Sequence, residues 1–168
     1  MATPYINKFF NLSIQGKGYY GQVNKVTPPA LKLITEKFRA GGMFASKQIQ
    51  LGLDDIDFKF ATPEADPDTL SLFGLQDSQA VSLNFKGVQI NGTGNERLDE
   101  YVVRGMITEL NRGEIENGKL SNVDYTVNCS YYKHAIGGKT IHEIDIDNNV
   151  LIIGGIDQLV NVRNMLGI

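Results

Sequence analysis

The sequence predicts a mainly β protein of the α+β kind, an antiparallel β-barrel or sandwich with one short flanking helix and a short C-terminal helix. Three observations predict it. The 18 Gly and 5 Pro cut the chain into β-rich runs of roughly eight to fifteen residues, the cadence of antiparallel strands and turns. Several of those runs alternate apolar and polar residues with a period of two. Helix-capping signals, by contrast, occur at only two places. With 168 residues, 42% of them from AVILMFWYC, the chain can fill one core and is too short for two, so one domain spanning residues 1–168 is expected.

The elements follow in order. Phe9 to Ile14, Tyr19 to Val26 and Leu31 to Phe38 read as strands separated by Gly16-Lys17-Gly18 and Pro28-Pro29. Ile49, Leu51 and Leu53 alternate before the phase changes to Ile56, Phe58 and Phe60 across Asp54-Asp55, which predicts a bulge or bend. Asp66 is placed to cap a helix that Pro67 opens and Gly74 closes. Val81, Leu83 and Phe85 slip to Val88 and Ile90, suggesting a bulge at Lys86-Gly87. Asn91 to Asn95 reads as a hairpin tip leading into Arg97 to Leu110, whose tract from Tyr101 to Ile107 is apolar on both faces and should be covered on both sides. The clearest strand is Val123 to Tyr131, with Val123, Tyr125, Val127, Cys129 and Tyr131 on one face; Tyr131 is expected in the core and Tyr132 at the rim. Ile156, Leu159, Val160 and Leu166 share a stripe of the last helix, with Arg163 near its negative end and Gly167 as terminator.

Charge and composition exclude several functions. A formal net charge of -3 leaves no positive field to hold nucleic acid by counterion release. The single Cys cannot form an intrachain disulfide or a four-Cys zinc site, which suits a reducing compartment. No run approaches the ~20 apolar residues of a membrane-spanning helix, so no membrane insertion is expected. Met1-Ala2-Thr3-Pro4-Tyr5 lacks the basic and apolar regions of a signal peptide.

Candidate chemistry is sparse. Gly16-Lys17-Gly18-Tyr19-Tyr20-Gly21 satisfies G-x-G-x-x-G, but Pro28-Pro29 soon follows and no helix can open there to meet a pyrophosphate, so it reads as a hairpin. Asp145 to Asn149 imitates a calcium loop but has Val150 and Ile156 where the turn glycine and the bidentate Glu belong, so a polar turn is expected. His134 and His142 lack metal-ligand spacing and read as surface or strand-end residues. Cys129 falls on an apolar strand face, as a small core residue would. Asp54, Asp55 and Asp57 offer the one tempting acid–base cluster, the basis of an alternative reading as a β-sandwich hydrolase or carbohydrate-binding module.

Against this background, a set of segments in a fixed order resembles a known family. They are Arg39-Ala40-Gly41-Gly42-Met43, Gly52-Leu53-Asp54, Phe73-Gly74-Leu75, Ser130-Tyr131-Tyr132-Lys133, His142-Glu143-Ile144-Asp145 and Gly155-Ile156-Asp157-Gln158-Leu159, then Arg163-Asn164 and Leu166-Gly167. Together they resemble the major tail tube proteins of contractile-tailed phages and the tube subunits of R-type pyocins. The resemblance implies a structural protein with no catalytic residue, cofactor or metal. It implies hexameric rings stacked into the inner tube of a tail, around a tape measure protein, within a tail sheath, and between baseplate and tail terminator proteins. DNA would pass without tight binding, and the tube would be part of a virion assembled in the bacterial host cytoplasm.

Two residue sets are expected to serve that assembly. Arg39, Ala40, Gly41, Gly42 and Met43 form a loop suited to reach a neighbouring subunit or, alternatively, an intrachain turn, and Asp157, Arg163 and Asn164 are candidates for contact between rings or for capping and solvating the last helix. Asn122, Asp124, Thr126, Asn128 and Ser130 are expected on the wet face of their strand, as a lining of the channel or as an outward face.

Overall fold

Period-two alternation becomes strand pairing from the first residues onward in a computed structural model that describes residues 3–75 and 79–168. Met1 and Ala2 of the N-terminal pentapeptide lie outside the described residues. β1 (Ile6–Ile14) and β2 (Lys17–Gly18) are joined by Gln15-Gly16, whose φ values of 51 and 80 are both left-handed, as a two-residue hairpin turn requires. β3 (Lys25–Thr27), β4 (Leu33–Phe38), β5 (Lys47–Leu53) and β6 (Asp57–Thr62) precede the one-turn helix α1 (Pro67–Leu70). β7 (Val81–Ile90), β8 (Glu96–Arg112), β9 (Val123–Ile136), β10 (Lys139–Asp145), β11 (Val150–Ile153) and β12 (Ile156–Asp157) lead to α2 (Val160–Leu166).

Ten strands form one antiparallel sheet in the order β12-β11-β10-β9-β8-β7-β1-β2, with β6 pairing to β9 and carrying β3. β4 and β5 form a separate two-stranded ribbon. The large sheet does not close on itself, which is consistent with the sandwich among the two expected architectures. Its inward face gathers Leu12, Ile14, Phe58, Leu83, Val103 and Tyr125, with their neighbours on six strands, into one core. α1 seals one end. There Tyr19 donates its hydroxyl to Asp66 Oδ2 at 2.9 Å, and Thr69, fully buried, donates to the same carboxylate at 2.9 Å.

β9 is the spine. It runs along β8 for its whole length, while its other edge is divided: Val123 to Asn128 take β6, and Tyr131 to Ile136 take β10. At the changeover Ser130 is an extra residue, because Arg104 faces Tyr131 while Gly105 faces Cys129. A Cβ on Gly105 would sit 2.0 Å from the carbonyl oxygen of Asn128, so this close approach of two backbones admits only glycine. The extra residue reverses the inward phase. Before it Val123, Tyr125, Val127 and Cys129 point to the core; after it Tyr132 does. The expected placing of Tyr131 in the core and Tyr132 at the rim is therefore inverted.

Other expectations are corrected by the same pairing rules. His134 is not a surface residue: past the bulge it turns inward, stacks on Tyr101 at 4.2 Å and brings Nε2 within 2.8 Å of Asp99 Oδ1. The Tyr101–Ile107 tract is covered on one face only, with Arg104 and Met106 exposed on the other. No bulge interrupts β7 at Lys86-Gly87, since its register with β8 runs unbroken from Val81 to Ile90. Gly87 occupies the inward position, where a Cβ would lie 3.1 Å from the ring of Phe85, and the apolar sequence skips a place because that ring fills it. The irregularity lies in β1 instead, between Asn7 and Phe9. Tyr19 to Val26 is not one strand: residues 19–24 form a turn between β2 and β3, because Tyr19 turns inward to Asp66 and its carbonyl accepts from the Gln22 N–H at 3.0 Å. The break at Asp54-Asp55 is a bend, where the chain passes from the ribbon to the large sheet.

The bulge carries a stability expectation. Gly105→Ala should cost about 2–4 kcal/mol in urea unfolding of the subunit, because backbone must move to admit the methyl group. Gly52→Ala, with open space around it, should change stability by less than about 0.5 kcal/mol.

Candidate assembly surfaces

The lower half of the sheet is a four-stranded section, β3-β6-β9-β8, with one face on the core and one in water. The wet face is built by the register. Asp57 lies beside Asn128, Lys59 beside Thr126, and Glu109 and Asn111 lie beside Thr126 and Asp124 from the other side. Asn128 donates from Nδ2 to Asp57 Oδ1 at 3.1 Å. Lys25, Lys59, Glu109, Asp124 and Thr126 line a shallow concavity of about 300 Å³ on this face. Of the residues expected there, Asp124, Thr126 and Asn128 lie on it. Asn122 lies just before β9 and accepts from Asn24 Nδ2 at 3.2 Å; Ser130 occupies the bulge and donates to the Arg104 carbonyl at 3.4 Å. Glu109, Asn111 and Lys59 are additions that alternation within one strand could not supply, since they join the face only through register.

Both sides of this section are open. From Met106 to Arg112, β8 has β9 on one side and no described strand on the other. At the far side β3 pairs, among the described residues, only with β6. Unpaired strand edges recruit other strands.

The β4–β5 ribbon is an arm. Its strands are exposed from Leu33 to Phe38 and from Lys47 to Leu51, with Leu33, Ile34, Phe38, Ile49 and Leu51 among them. A ribbon exposed on both faces gains little from burial. Arg39 to Met43 sit at its tip, where Arg39 Nε donates to the Met43 carbonyl at 3.3 Å and Gly42 has φ 86. Met43 is folded back, with its sulfur 3.3 Å from the Ala40 N–H, so the side chain offered to solvent is Phe44, fully exposed. Phe44 was legible only as an apolar residue outside any strand periodicity.

α2 buries none of its residues. Val160, Met165, Leu166 and Ile168 are exposed, and Gly167, with φ 74, closes the helix as expected. What holds α2 is Arg163, whose guanidinium meets Asp157 Oδ2 at 2.5 Å and the Asn149 carbonyl at 3.0 Å. That hydrogen bond from Arg163, with another from the Leu159 N–H, lowers the Asp157 carboxyl pKa below its usual value. Asp157 and Arg163 are thus committed to each other, while Asn164 is exposed.

The remaining chemical candidates are dispersed. Asp54 accepts from the Asp55 N–H and pairs with Lys32 at 3.4 Å, at the foot of the arm, whereas Asp57 belongs to the wet face of β6. Cys129 is 1% exposed, and burial pushes its thiol up to about 12, so it is protonated at neutral pH. Asp145 to Asn149 is a polar turn, with Asp145 accepting from the Asn148 N–H at 3.1 Å.

Arg163→Ala should release α2. Amide exchange of residues 160–166 should accelerate at least about tenfold by mass spectrometry while core strands stay protected. Acid should act likewise. A carboxyl with a depressed folded pKa stabilises above its unfolded value of ~3.9 and loses that contribution as pH falls through the folded value. Helix protection should therefore fall below about pH 3.9, ahead of the core, in the wild type and not in Arg163→Ala.

Comparison with known proteins gives these surfaces a context. The sequence profile of the family described as Phage tail tube protein FII matches residues 5–167. The chain is 31% identical to the tail tube protein of Escherichia phage P2, over 100% of both chains. It is 31% identical to the major tail tube protein of Serratia phage KSP20, over 88% of this chain and 86% of that one. In fold it is similar to a chain in the cryo-EM structure of the sheath/tube terminator of an extracellular contractile injection system, PVC, with TM-score 0.60, 13% identity and coverage of 80% and 97%. A chain of the anti-feeding prophage tube-terminating cap gives TM-score 0.60 at 11% identity, covering 81% of this chain and 92% of that one. The match along nearly the whole sequence and the two relatives at 31% identity establish that this chain belongs to the phage tail tube protein family, a family of structural proteins and not of enzymes.

Proposed function

We propose that the protein is the subunit of the inner tube of a contractile tail, six copies closing into a ring and rings stacking into a conduit. The observation that carries this reading is the four-stranded section with two open edges and a polar outer face. Head-to-tail pairing of the β8 edge of one copy with the β3–β6 edge of the next removes both edges at once. Six such sections supply about 24 strands; at ~4.8 Å spacing and ~40° tilt the circumference is ~150 Å and the backbone diameter ~48 Å. Less ~10 Å for side chains, the bore is wider than a DNA duplex of roughly 20 Å.

The lining is then the wet face, with Asp124, Thr126 and Asn128 and their neighbours Lys59, Glu109 and Asn111. Its charges are mixed, with Lys25 and Lys59 against Asp57, Glu109 and Asp124. Without a basic excess the wall offers a passing polyanion few points of adhesion. The arm, with Arg39 to Met43 at its tip, reaches a neighbouring subunit, and the exposed side of α2 around Asn164 contributes to contact between rings. A tail sheath outside, a tape measure protein and then DNA inside, and baseplate and terminator proteins at the ends complete the particle. The whole would be assembled in the host cytoplasm and retained in the virion. Support for those partners comes from similarity in fold to chains of a sheath–tube complex, a baseplate and a tube cap.

Size-exclusion chromatography with negative-stain microscopy of the purified protein tests the reading. Rings or tubes with a bore of ~38 Å are expected. A species that stays monomeric at high concentration would overturn it. Phe44→Asp should yield a folded monomer by circular dichroism with tube formation abolished.

A further inference from the structure

A groove of about 530 Å³ opens at the foot of the arm, between the end of β5 and the β10–β11 hairpin. Leu51, Ile144, Ile146, Val150, Leu151 and Leu159 form the apolar part of its walls, beside Gln50, Asn128 and Asn149. Its charged lining residues are Asp54, Asp55 and Asp145, with no Lys or Arg among them. Asp54 is met by Lys32 and Asp145 caps its own turn, but Asp55 is exposed and accepts from no described group.

The other end of the same arm is the opposite in kind. Fully exposed Phe44 lies in the stretch from Glu36 to Lys47, which carries Lys37, Arg39 and Lys47 beside a single acid, Glu36. An aromatic side chain brings ~150–250 Å² to whatever covers it. The tip cannot reach its own groove, because the paired length from Leu33 opposite Leu53 to Phe38 opposite Lys47 holds the two ends ~20 Å apart.

We propose that this groove receives the arm tip of a second copy, Phe44 entering between the apolar walls while the basic residues of the tip face the carboxylates of the rim. The proposal rests on the tube reading and names the surface on which the arm lands. Because tip and groove are different surfaces of one molecule, each docked copy still offers a free tip and a free groove. The contact therefore propagates around a ring or along a stack and does not stop at a dimer.

Paired cysteines test it. Tubes of the Phe44→Cys, Val150→Cys double variant should give a ladder of covalent multimers on mild oxidation, because a disulfide needs Cα atoms within about 7 Å; each single variant should stay monomeric on the gel. Double-variant tubes seen by microscopy but carrying no crosslink would overturn the groove assignment and leave the tube reading intact. A wild-type protein that never assembles would sink both. Charge reversal is the second measure. Lys47→Glu and Asp55→Lys should each raise the concentration needed for assembly about tenfold, and the double variant should restore it. No restoration, or protection of Val150→Cys from a maleimide only when sheath protein is added, would show that another partner fills the groove.

Discussion

The divided outer edge of β9 is the constraint from which the rest of the structure follows. One strand serves β6 with its first half and β10 with its second, and it can do so because the backbone of β8 approaches it at Gly105 where no side chain fits. The extra residue, Ser130, keeps both halves facing the same core while the sheet turns between them. Upstream of that point lies a section with free edges and a wet face. Downstream, Tyr131 donates to Glu143 at 2.9 Å and Lys133 lies 3.7 Å from the same carboxylate, so the outer face there is tied up within the chain.

Much of the apolar surface left over sits on the arm, on α2 and in the groove at the arm's foot, while the wet face of the lower section is mainly polar, with Met106 beside Asn128. The core reaches Tyr132 and Ile144 and α2 buries none of its residues, so those apolar surfaces are left uncovered by the described residues. Membership of a tail tube family accounts for such a distribution. A subunit of a repeating structure keeps its complementary surfaces separate on one molecule, so that they can meet only between copies.

Much of this was legible in the residues, and what was not has a physical reason. Alternation in Val123 to Cys129 separated the core from the wet face, the glycine-rich stretch from Gly16 to Gly21 pointed to a hairpin though its turn falls at Gln15-Gly16, and the phase change at Asp54-Asp55 marked the passage from one sheet to another. Tyr131 and Tyr132 were exchanged because a bulge depends on a residue in the neighbouring strand, Gly105, and period-two reading looks along one strand only. Gly87 misled for the complementary reason: its inward place is filled by the ring of Phe85, so a regular strand looked broken. The sequence pointed to the loop from Arg39 to Met43, and only folding showed that the Met43 sulfur turns back to the Ala40 amide and leaves Phe44 outermost. Lys59, Glu109 and Asn111 join Asp124 and Thr126 through pairing register, which no single segment encodes.

A two-stranded ribbon with no third strand is barely stable in water, and β4 and β5 form such a ribbon. In an assembly built through it, a free subunit must surrender the ribbon's conformational freedom on its first encounter, whereas a copy arriving at an existing end meets neighbours already set. In the proposed tube, nucleation would then be slow and elongation fast, and an existing end would set when and on what template polymerisation begins.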